Sequence, residues 1–115
     1  MSVAQRVDLL GCSFDPVRLG EAVDRVAAWI EGDRLRQGVG VNVDHLVKMD
    51  RDPAFAALVQ QADLVLADGM PVVWASRALG RPLPERVPAI DLFDALLPEA
   101  ARRGWPIYLL GARLE

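Results

Sequence analysis

The 115-residue chain has the length of one compact domain, and its 52% hydrophobic content is enough to bury a core. A formal net charge of -3, from 13 basic and 16 acidic side chains, argues against the basic stripe that a nucleic-acid partner requires. The single cysteine, Cys12, excludes an internal disulfide and a thiolate cluster, so a reducing, cytoplasmic compartment is expected.

The sequence predicts neither a secretory signal nor a membrane-spanning segment. The N-terminus lacks a basic region followed by an apolar block, so no secretory signal is predicted. The longest stretch without charged residues, Pro53 to Ala62, is far shorter than the roughly 20 apolar residues that span a bilayer. The sequence stops shortly after an apolar run, so we expect a truncated chain in which Leu114-Glu115 is vector-derived.

The first third of the chain predicts two strands with a helix between them. Val7 to Gly11 is a short apolar run ended by glycine, which predicts a strand. Apolar residues then recur at spacings typical of a helix, namely at Leu19, Val23, Val26 and Ile30. We expect this helix to open after Asp15, with Pro16 at its first position, and to end near Gly32. Gly38 to Val43 is apolar on both faces, which predicts a strand covered on both sides.

The middle of the chain predicts three helices and a strand. Asp44 to Asp50 indicates one or two helical turns, and Asp52, followed by proline, is a good cap for a helix that runs to about Ala62. Asp63 to Ala67 is the next predicted strand. Met70 to Leu79 predicts a short, mostly apolar helix that ends at a glycine.

The last third predicts a loop, a helix and a strand. Arg81 to Pro88 holds three prolines and is expected to be irregular. Asp91 is the predicted N-cap of a helix that runs to about Arg103 and is kinked or split by Pro98. Ile107 to Gly111 is the last predicted strand.

The predicted order is βαβαβααβ, with connections long enough for crossovers. This order predicts an α/β fold, a Rossmann-like parallel sheet of roughly four strands flanked by helices, in one domain covering residues 1–115. In such sheets ligands bind beyond the carboxyl ends of the strands, because loops and helix N-termini converge there. Three segments follow strand ends: Asn42 to Leu46, Ala67 to Pro71, and Gly111 to Glu115.

Asp68 is the strongest candidate for chemistry. It directly follows a predicted strand, Gly69 allows a sharp turn after it, and the next helix points its N-terminus to the same region. An alternative interpretation, that Asp68 is an N-cap or turn aspartate, stays open at this point.

A second polar cluster follows the other strand and contains Asn42, Asp44 and His45. A lone histidine is more often packed or on the surface than catalytic, and without a second histidine or a thiolate cluster no transition-metal site is predicted. The run Asp50 to Asp52 matches the acidic tripeptide of many metal-dependent sugar-nucleotide transferases, but capping and solvation explain it better here.

Three arginines lie at the end of the predicted helix after Asp68 and in the loop that follows it, at Arg77, Arg81 and Arg86. A guanidinium can bind a diphosphate with paired hydrogen bonds, although each arginine taken alone is better explained as a solvated surface residue. The chain has no P-loop, and the segment "GCSFD" is not a dinucleotide fingerprint, which weakens an oxidoreductase-like nucleotide domain as a further alternative.

Three segments together resemble the WecG/TagA/CpsF family of bacterial glycosyltransferases: "NVDHLVKM", "LVLADGMPVVWASRALGRPLPERV" and "IDLFDALLPEAARRGWPIYLLG". The resemblance covers most of the chain. It implies inverting, metal-independent transfer of a sugar, commonly N-acetylmannosamine, from a UDP-sugar donor to a polyprenyl-diphosphate-linked saccharide. Such transfer serves the synthesis of teichoic acid, capsule and other cell-surface polysaccharides. Residues 1–115 are then the N-terminal part of a longer transferase domain.

The resemblance also implies roles for individual residues. Asp68 corresponds to the family's proposed general base, and Arg86 to an arginine proposed to contact the diphosphate. The expected substrate-binding residues are Asn42, Arg86, Gly69, His45 and Asp91. No cofactor or metal is expected beyond the UDP-sugar, and the expected assembly is a homo-oligomer, cytoplasmic and peripheral at the inner membrane face, where the acceptor lies.

Two residues depart from the family pattern. Gly40 stands where many members carry a threonine, two positions before Asn42, and Ala89 stands where a glycine is usual. A second hypothesis also stays open, a non-catalytic nucleotide- or partner-binding α/β fragment in which Asp68 caps a helix and the arginines face solvent.

Overall fold

A computed structural model describes residues 5–111, and its elements follow the order ββαβααβαα. The strands are β1 (Val7–Leu9), β2 (Cys12–Phe14), β3 (Gly38–Val41) and β4 (Leu64–Ala67). The helices are α1 (Leu19–Ile30), α2 (Val43–Arg51), α3 (Pro53–Gln60), α4 (Met70–Ala78) and α5 (Ala89–Arg103). The α/β class is confirmed, but the predicted βαβαβααβ order of about four parallel strands is not.

A parallel pair of strands, β3 and β4, lies at the centre of the fold. Their register runs from Gly38 opposite Leu64 to Val41 opposite Ala67. Successive side chains of a strand point to opposite faces, and all four β4 side chains are buried, so β4 is covered on both sides.

The two faces of this pair contribute to two core clusters. Val65 and Ala67 pack in one cluster with residues of α2, α3, α4 and the β1–β2 segment. Leu64 and Leu66 pack in the other cluster, with residues of α1 and α5. Helices therefore flank the pair on both sides. Double coverage was predicted for β3 but is found for β4. In β3, Gly38 is exposed, Val39 and Gly40 are partly buried, and only Val41 is buried.

The first predicted strand is half of an antiparallel hairpin that the sequence analysis missed. Strand β1 pairs with β2, with Leu9 opposite Cys12. Leu10 and Gly11 both have positive φ, at 53° and 80°, as a tight two-residue hairpin turn requires. The strand was predicted to run to Gly11, but it ends at Leu9 because the chain turns back on itself at Leu10 and Gly11.

Asp15 joins this hairpin to the central pair. Its backbone N–H donates to the Val65 carbonyl at 2.9 Å, and its Oδ2 accepts from the Val65 N–H at 2.7 Å. The buried carboxylate also pairs with Arg6 at 3.4 Å and Arg25 at 3.3 Å. Because the chain is held extended against β4 at Asp15, helix α1 begins at Leu19 and not directly after Asp15 as predicted.

Helix boundaries in the middle of the chain agree closely with the prediction. Asp52 is the N-cap of α3, where its carboxylate accepts from the N–H groups of Ala54 and Phe55, both at 3.1 Å. Pro53 is the first helical residue, a position where its missing N–H costs nothing. Within the described residues, none of the helices is both long enough and apolar enough to cross a membrane.

Two predictions in the last third are wrong. Pro88, not Asp91, is the N-cap of α5, and Asp91 lies in the first turn, where an acid still favours the helix N-terminus. Ile107 to Gly111 forms no strand, and Tyr108 and Leu110 are 85% and 90% exposed. A strand needs a neighbour with free backbone groups as well as apolar side chains, and in the described chain this segment pairs with none.

Candidate functional site

Asn42 and Asp68 directly follow β3 and β4 at the same edge of the parallel pair. Because Val41 is opposite Ala67 in the register, the two polar residues are neighbours across the strands. The Asp68 N–H donates to the Val41 carbonyl at 3.0 Å and extends the pairing by one bond. The carboxyl ends of the strands thus bring these two predicted site residues together.

The Asp68 carboxylate is half-buried and does not cap the helix that follows it. Gly69 is the N-cap of α4, with φ of 151°, and no side chain caps that helix. Instead, Oδ2 of Asp68 accepts from the N–H of Ala89, the first residue of α5, at 3.3 Å. In the part of the chain that the structure describes, no donor contacts Oδ1 of Asp68. One carboxylate oxygen is anchored and the other has its lone pairs available.

Asn42 and His45 form a reciprocal cap on α2. The Asn42 side chain accepts from the His45 N–H at 3.0 Å, and Nδ1 of His45 accepts from the Asn42 N–H at 3.1 Å. The imidazole also stacks on Phe55, with ring centroids 6.4 Å apart. Because Nδ1 acts as an acceptor, the proton of the neutral ring is on Nε2. Capping accounts for His45 structurally, while the Asn42 amide group keeps two donors for a ligand.

The proline-containing loop between α4 and α5 is held in place from the core. The Ser76 hydroxyl is fully buried and accepts from the Leu83 N–H at 3.0 Å. The Val87 N–H donates to the Ala67 carbonyl at 2.8 Å, directly before Asp68 in the chain. The backbone of Arg86 is therefore fixed beside the end of β4, and its side chain is exposed.

The three arginines singled out in the sequence do not form one group. Arg81 donates to the Asp8 carbonyl of β1 at 3.1 Å, so this side chain ties the loop to the hairpin. Arg77 is exposed on α4. Arg86 is the arginine of the three that lies beside Asp68, because the next residue, Val87, donates its N–H to the Ala67 carbonyl at the end of β4.

Helices α2, α4 and α5 all begin at this edge of the sheet. An open cleft of about 190 Å³ lies between the first two and is lined by Asn42, Val43, Asp44, Gly69, Pro71 and Val72. Helix N-termini carry partial positive charge and unpaired N–H groups, which together favour anions such as phosphates. Gly69 thus lies in the cleft, while Asp91 is exposed one turn into α5, outside its lining.

Two residues that sequence reasoning did not place in the site contact Asp68. One is Ala89, through its backbone N–H. The other is Gly40, since a β-carbon built at this position would lie 2.5 Å from Oδ2 of Asp68. In the sequence, Gly40 and Ala89 stand out only as departures from the family pattern. Those departures were the one signal that pointed to these two positions.

Acidic residues elsewhere do not gather into a metal centre. Within residues 5–111, no group of three or more His, Cys, Asp or Glu side chains could hold an ion together. Asp52 of the acidic tripeptide is engaged as the cap of α3, as the capping interpretation predicts.

Comparison with known proteins gives a consistent result. A model of the "Glycosyl transferase WecG/TagA/CpsF family" matches residues 7–115. Two relatives from Staphylococcus aureus, strains NCTC 8325 / PS 47 and COL, are each 31% identical over 112 residues. Both are named N-acetylglucosaminyldiphosphoundecaprenol N-acetyl-beta-D-mannosaminyltransferase. Each alignment covers 96% of this chain and 44% of the relative, so the chain spans less than half the length of the curated relatives it matches.

Proposed function

The chain belongs to the WecG/TagA/CpsF family of glycosyltransferases, and on this premise we propose that it provides the catalytic edge of an N-acetylmannosaminyltransferase. The proposed donor is UDP-N-acetylmannosamine. The proposed acceptor is a polyprenyl-diphosphate-linked N-acetylglucosamine, the class that the names of the Staphylococcus aureus relatives specify. The product is a precursor of a cell-surface polysaccharide such as teichoic acid.

The observation that carries this proposal is the presentation of Asp68. Its carboxylate is at the carboxyl end of β4, beside Asn42, and leaves α4 uncapped. Oδ2 is held by the Ala89 N–H, and no described donor contacts Oδ1. A general base needs a free lone pair, and it needs to lie within about 3 Å of the hydroxyl that it deprotonates. Oδ1 of Asp68 has the free lone pair.

The proposed reaction is a single displacement with inversion. A hydroxyl oxygen of the acceptor sugar attacks the anomeric carbon from the face opposite the diphosphate. The new carbon–oxygen bond forms as the bond from that carbon to the diphosphate oxygen breaks, and UDP leaves with the bonding electrons. The hydroxyl proton passes to Asp68, which returns it to solvent. A well-placed base of this kind accelerates a reaction by roughly 10²- to 10⁴-fold.

The leaving diphosphate needs positive charge, and the site edge supplies it without a metal in this proposal. Arg86 provides a guanidinium that can bind two phosphate oxygens at once. The N-terminus of α4 adds partial positive charge and is not capped by a side chain, whereas the first N–H of α5 is taken by Asp68. Asn42 and Gly69 line the cleft and are the proposed contacts to the sugar.

Incubation of the purified protein with UDP-N-acetylmannosamine and a short-chain lipid-diphosphate N-acetylglucosamine tests the proposal. Release of UDP with formation of a β-linked disaccharide lipid, seen by mass spectrometry and by the anomeric proton in NMR, is the expected result. UDP-N-acetylglucosamine as donor is the matched control and should give much less product. Absence of transfer with both donors would contradict the proposal.

A second candidate function is a non-catalytic nucleotide- or partner-binding fragment. The observation that favours it is the Ala89 N–H bond to Asp68, which is also the bond that a purely structural cap of α5 would make. Isothermal titration with UDP separates the two candidates when combined with the transfer assay. Heat of binding without transfer supports the second candidate, whereas binding with transfer supports the first.

The acceptor also suggests where the protein works. A lipid-linked saccharide is held at a membrane surface, so we propose a peripheral association with the inner face of the membrane. A homo-oligomer is part of the same proposal. Co-sedimentation with vesicles that carry the lipid-diphosphate acceptor, compared with vesicles that lack it, tests the association directly.

A further inference from the structure

We propose that the exposed sides of α2 and α4 next to the cleft bind the first isoprene units of the acceptor's polyprenyl chain. This inference rests on the proposed function, because it concerns the lipid part of the acceptor in that reaction. The acceptor named for the relatives carries an undecaprenol, which is an apolar chain, on its diphosphate. A chain attached to a sugar that reacts at Asp68 has to leave the site either through water or along apolar protein surface.

Two rows of apolar side chains lead out of the cleft. Val43 of α2 and Pro71 of α4 are in its lining. Residues three or four positions apart lie side by side on a helix, so Val47 continues the row of Val43. Trp74 continues the row of Pro71 in the same way. Because α2 and α4 both begin at this edge of the sheet and pack on one core cluster, the two rows run away from the cleft together.

The side chains of these apolar rows are open to solvent. Val43, Val47 and Trp74 are 43, 46 and 59% exposed, and Pro71 is also exposed. Val72, which lines the same cleft, is by contrast fully buried. Single exposed apolar residues are common on protein surfaces, but a set that borders a cleft is typical of a site for an apolar ligand.

The charges at the far ends of the apolar rows suit a lipid. Each row leads to an exposed arginine one turn further from the cleft, Arg51 on α2 and Arg77 on α4. The acceptor chain comes from a bilayer whose surface carries phosphate groups, and a guanidinium pairs well with a phosphate. An indole such as that of Trp74 is also typical of the boundary between lipid and water. The apolar rows therefore lie between the cleft and two cations that can face the bilayer.

Farnesyl diphosphate tests the binding of the chain without any sugar transfer. In NMR spectra of the labelled protein, the Trp74 indole N–H and the Val47 methyl signals should shift on addition of farnesyl diphosphate. Inorganic diphosphate, which lacks the chain, should leave both signals in place. The double variant Val47→Ser/Trp74→Ser should bind farnesyl diphosphate about tenfold more weakly, because it removes apolar contact area.

A matched control changes two exposed leucines outside the apolar rows. Leu58 is on α3 and Leu79 is at the end of α4, two turns from the cleft lining. Leu58→Ser/Leu79→Ser should bind farnesyl diphosphate like the wild type. All four changed side chains are exposed, so both double variants should keep the fold.

In the transfer assay, acceptors with a methyl or a farnesyl group on the diphosphate separate the effect of the chain from that of the sugar. The wild type should use the farnesyl acceptor with a KM about tenfold lower than that of the methyl acceptor. Val47→Ser/Trp74→Ser should lose this preference and should use the methyl acceptor as well as the wild type does. The kcat values should be nearly equal, because the chain is bound equally in the ground state and the transition state.

The outcomes distinguish the chain from other occupants of the apolar rows. Equal responses to farnesyl and inorganic diphosphate would overturn the inference, and so would wild-type binding of farnesyl diphosphate by Val47→Ser/Trp74→Ser. If that variant kept the farnesyl preference but lost binding to phosphatidylglycerol vesicles without acceptor, the rows would belong to the bilayer. If it kept the preference but became monomeric in sedimentation velocity, they would belong to a second copy.

Failure of the proposed function gives a different result. If the wild-type protein transfers no sugar to either acceptor, the proposed function fails. The titrations with farnesyl and inorganic diphosphate then still decide whether the apolar rows bind an isoprenoid chain.

Discussion

Arg86 owes its position at the site to the residue that follows it. The Val87 N–H bonds to the Ala67 carbonyl at 2.8 Å, and the Val87 side chain is 1% exposed, so the backbone here is fixed while the Arg86 side chain is in solvent. A cation whose backbone is fixed in this way needs little reorganisation to meet a diphosphate. The spacing of the residues could not distinguish Arg86 from Arg77 and Arg81, and only the family resemblance singled it out.

Removal of the Arg86 guanidinium should reduce the stabilisation of the transition state and leave the stability of the fold nearly unchanged. We expect Arg86→Ala to lose about 3 to 4 kcal/mol of transition-state stabilisation, measured from kcat/KM for the UDP-sugar. Arg77→Ala removes an exposed arginine of α4 and is the control. If the two variants used donor equally well, Arg86 would have no role at the diphosphate.

Cys12 gives the fold a pH-dependent component of stability. Burial raises the pKa of the Cys12 thiol from its ordinary value of 9.0 to about 11, despite the Gln60 amide that donates to its sulfur. An unfolded chain therefore loses this proton at lower pH than the folded chain. The thiol contributes stability below pH 9, and this contribution is lost as pH rises from 9 to about 11.

Urea unfolding at pH 8 and pH 10 measures this effect. Wild-type stability should decrease between the two pH values by more than that of Cys12→Ala, which lacks the thiol. At pH 9 the folded protein should also hold roughly 50-fold less thiolate than an unfolded chain, so a thiol reagent should react slowly until urea is added. An equal decrease in stability from pH 8 to pH 10 for wild type and Cys12→Ala would show that folding does not change the pKa of this thiol.

Helices and strands were predicted best where residues close together in the sequence determine their ends. The cap at Asp52 and the turn at Gly69 are set within a few residues, and the helices there were predicted to within two residues of their ends. The hairpin was missed because Cys12 to Phe14 is too short for a periodic signal. Strand 107–111 was wrongly predicted because strand formation depends on a partner far away in the chain.

The same limit applies to the candidate site. Asn42 and Asp68 were predicted to share one edge because parallel strands align their carboxyl ends, and they do. The contact of Asp68 with Gly40 and Ala89 depends on the rotamer of one side chain and on where α5 begins. Neither is encoded in a local pattern.

Asp15 connects the hairpin to the central strands and should dominate the stability of that connection. Its carboxylate is buried and contacts Val65, Arg6 and Arg25. We expect Asp15→Ala to lower the free energy of unfolding by about 3 kcal/mol, because it leaves the buried Val65 N–H without its acceptor and removes the carboxylate that pairs with Arg6 and Arg25.

The matched control for this change is Asp24→Ala, at an exposed position of α1. Its effect should stay within about 0.5 kcal/mol. Urea titrations of both variants, followed by circular dichroism, give the comparison. Similar stabilities for the two variants would mean that Asp15 does not hold the hairpin to β4.

Two parts of the whole molecule expose several apolar side chains close together in sequence or around one groove. Four consecutive side chains, Ile107 to Leu110, are 50 to 90% exposed. A groove of about 310 Å³ is lined by apolar residues of α1 and by the segment that leads into β3, including Trp29, Ile30 and Leu35. Exposed apolar side chains of this kind favour association between molecules.

Sedimentation velocity over a range of concentrations should therefore show reversible self-association. The double variant Leu109→Glu/Leu110→Glu should shift the protein toward monomer. Leu58→Glu/Leu79→Glu, which changes exposed leucines on α3 and at the end of α4, should leave the association unchanged. Monomeric wild-type protein at all concentrations would contradict the homo-oligomer.

The transfer rate of Asp68→Asn tests most directly whether Asp68 is the general base. The amide oxygen of asparagine can still accept the Ala89 N–H, so the variant removes the basic oxygen and keeps the local geometry. We predict that kcat falls by roughly 10²- to 10⁴-fold while the fold is unchanged, and that Asp50→Asn, at an exposed position of α2, behaves as wild type. Near-normal turnover by Asp68→Asn would contradict the assignment of this carboxylate as the base.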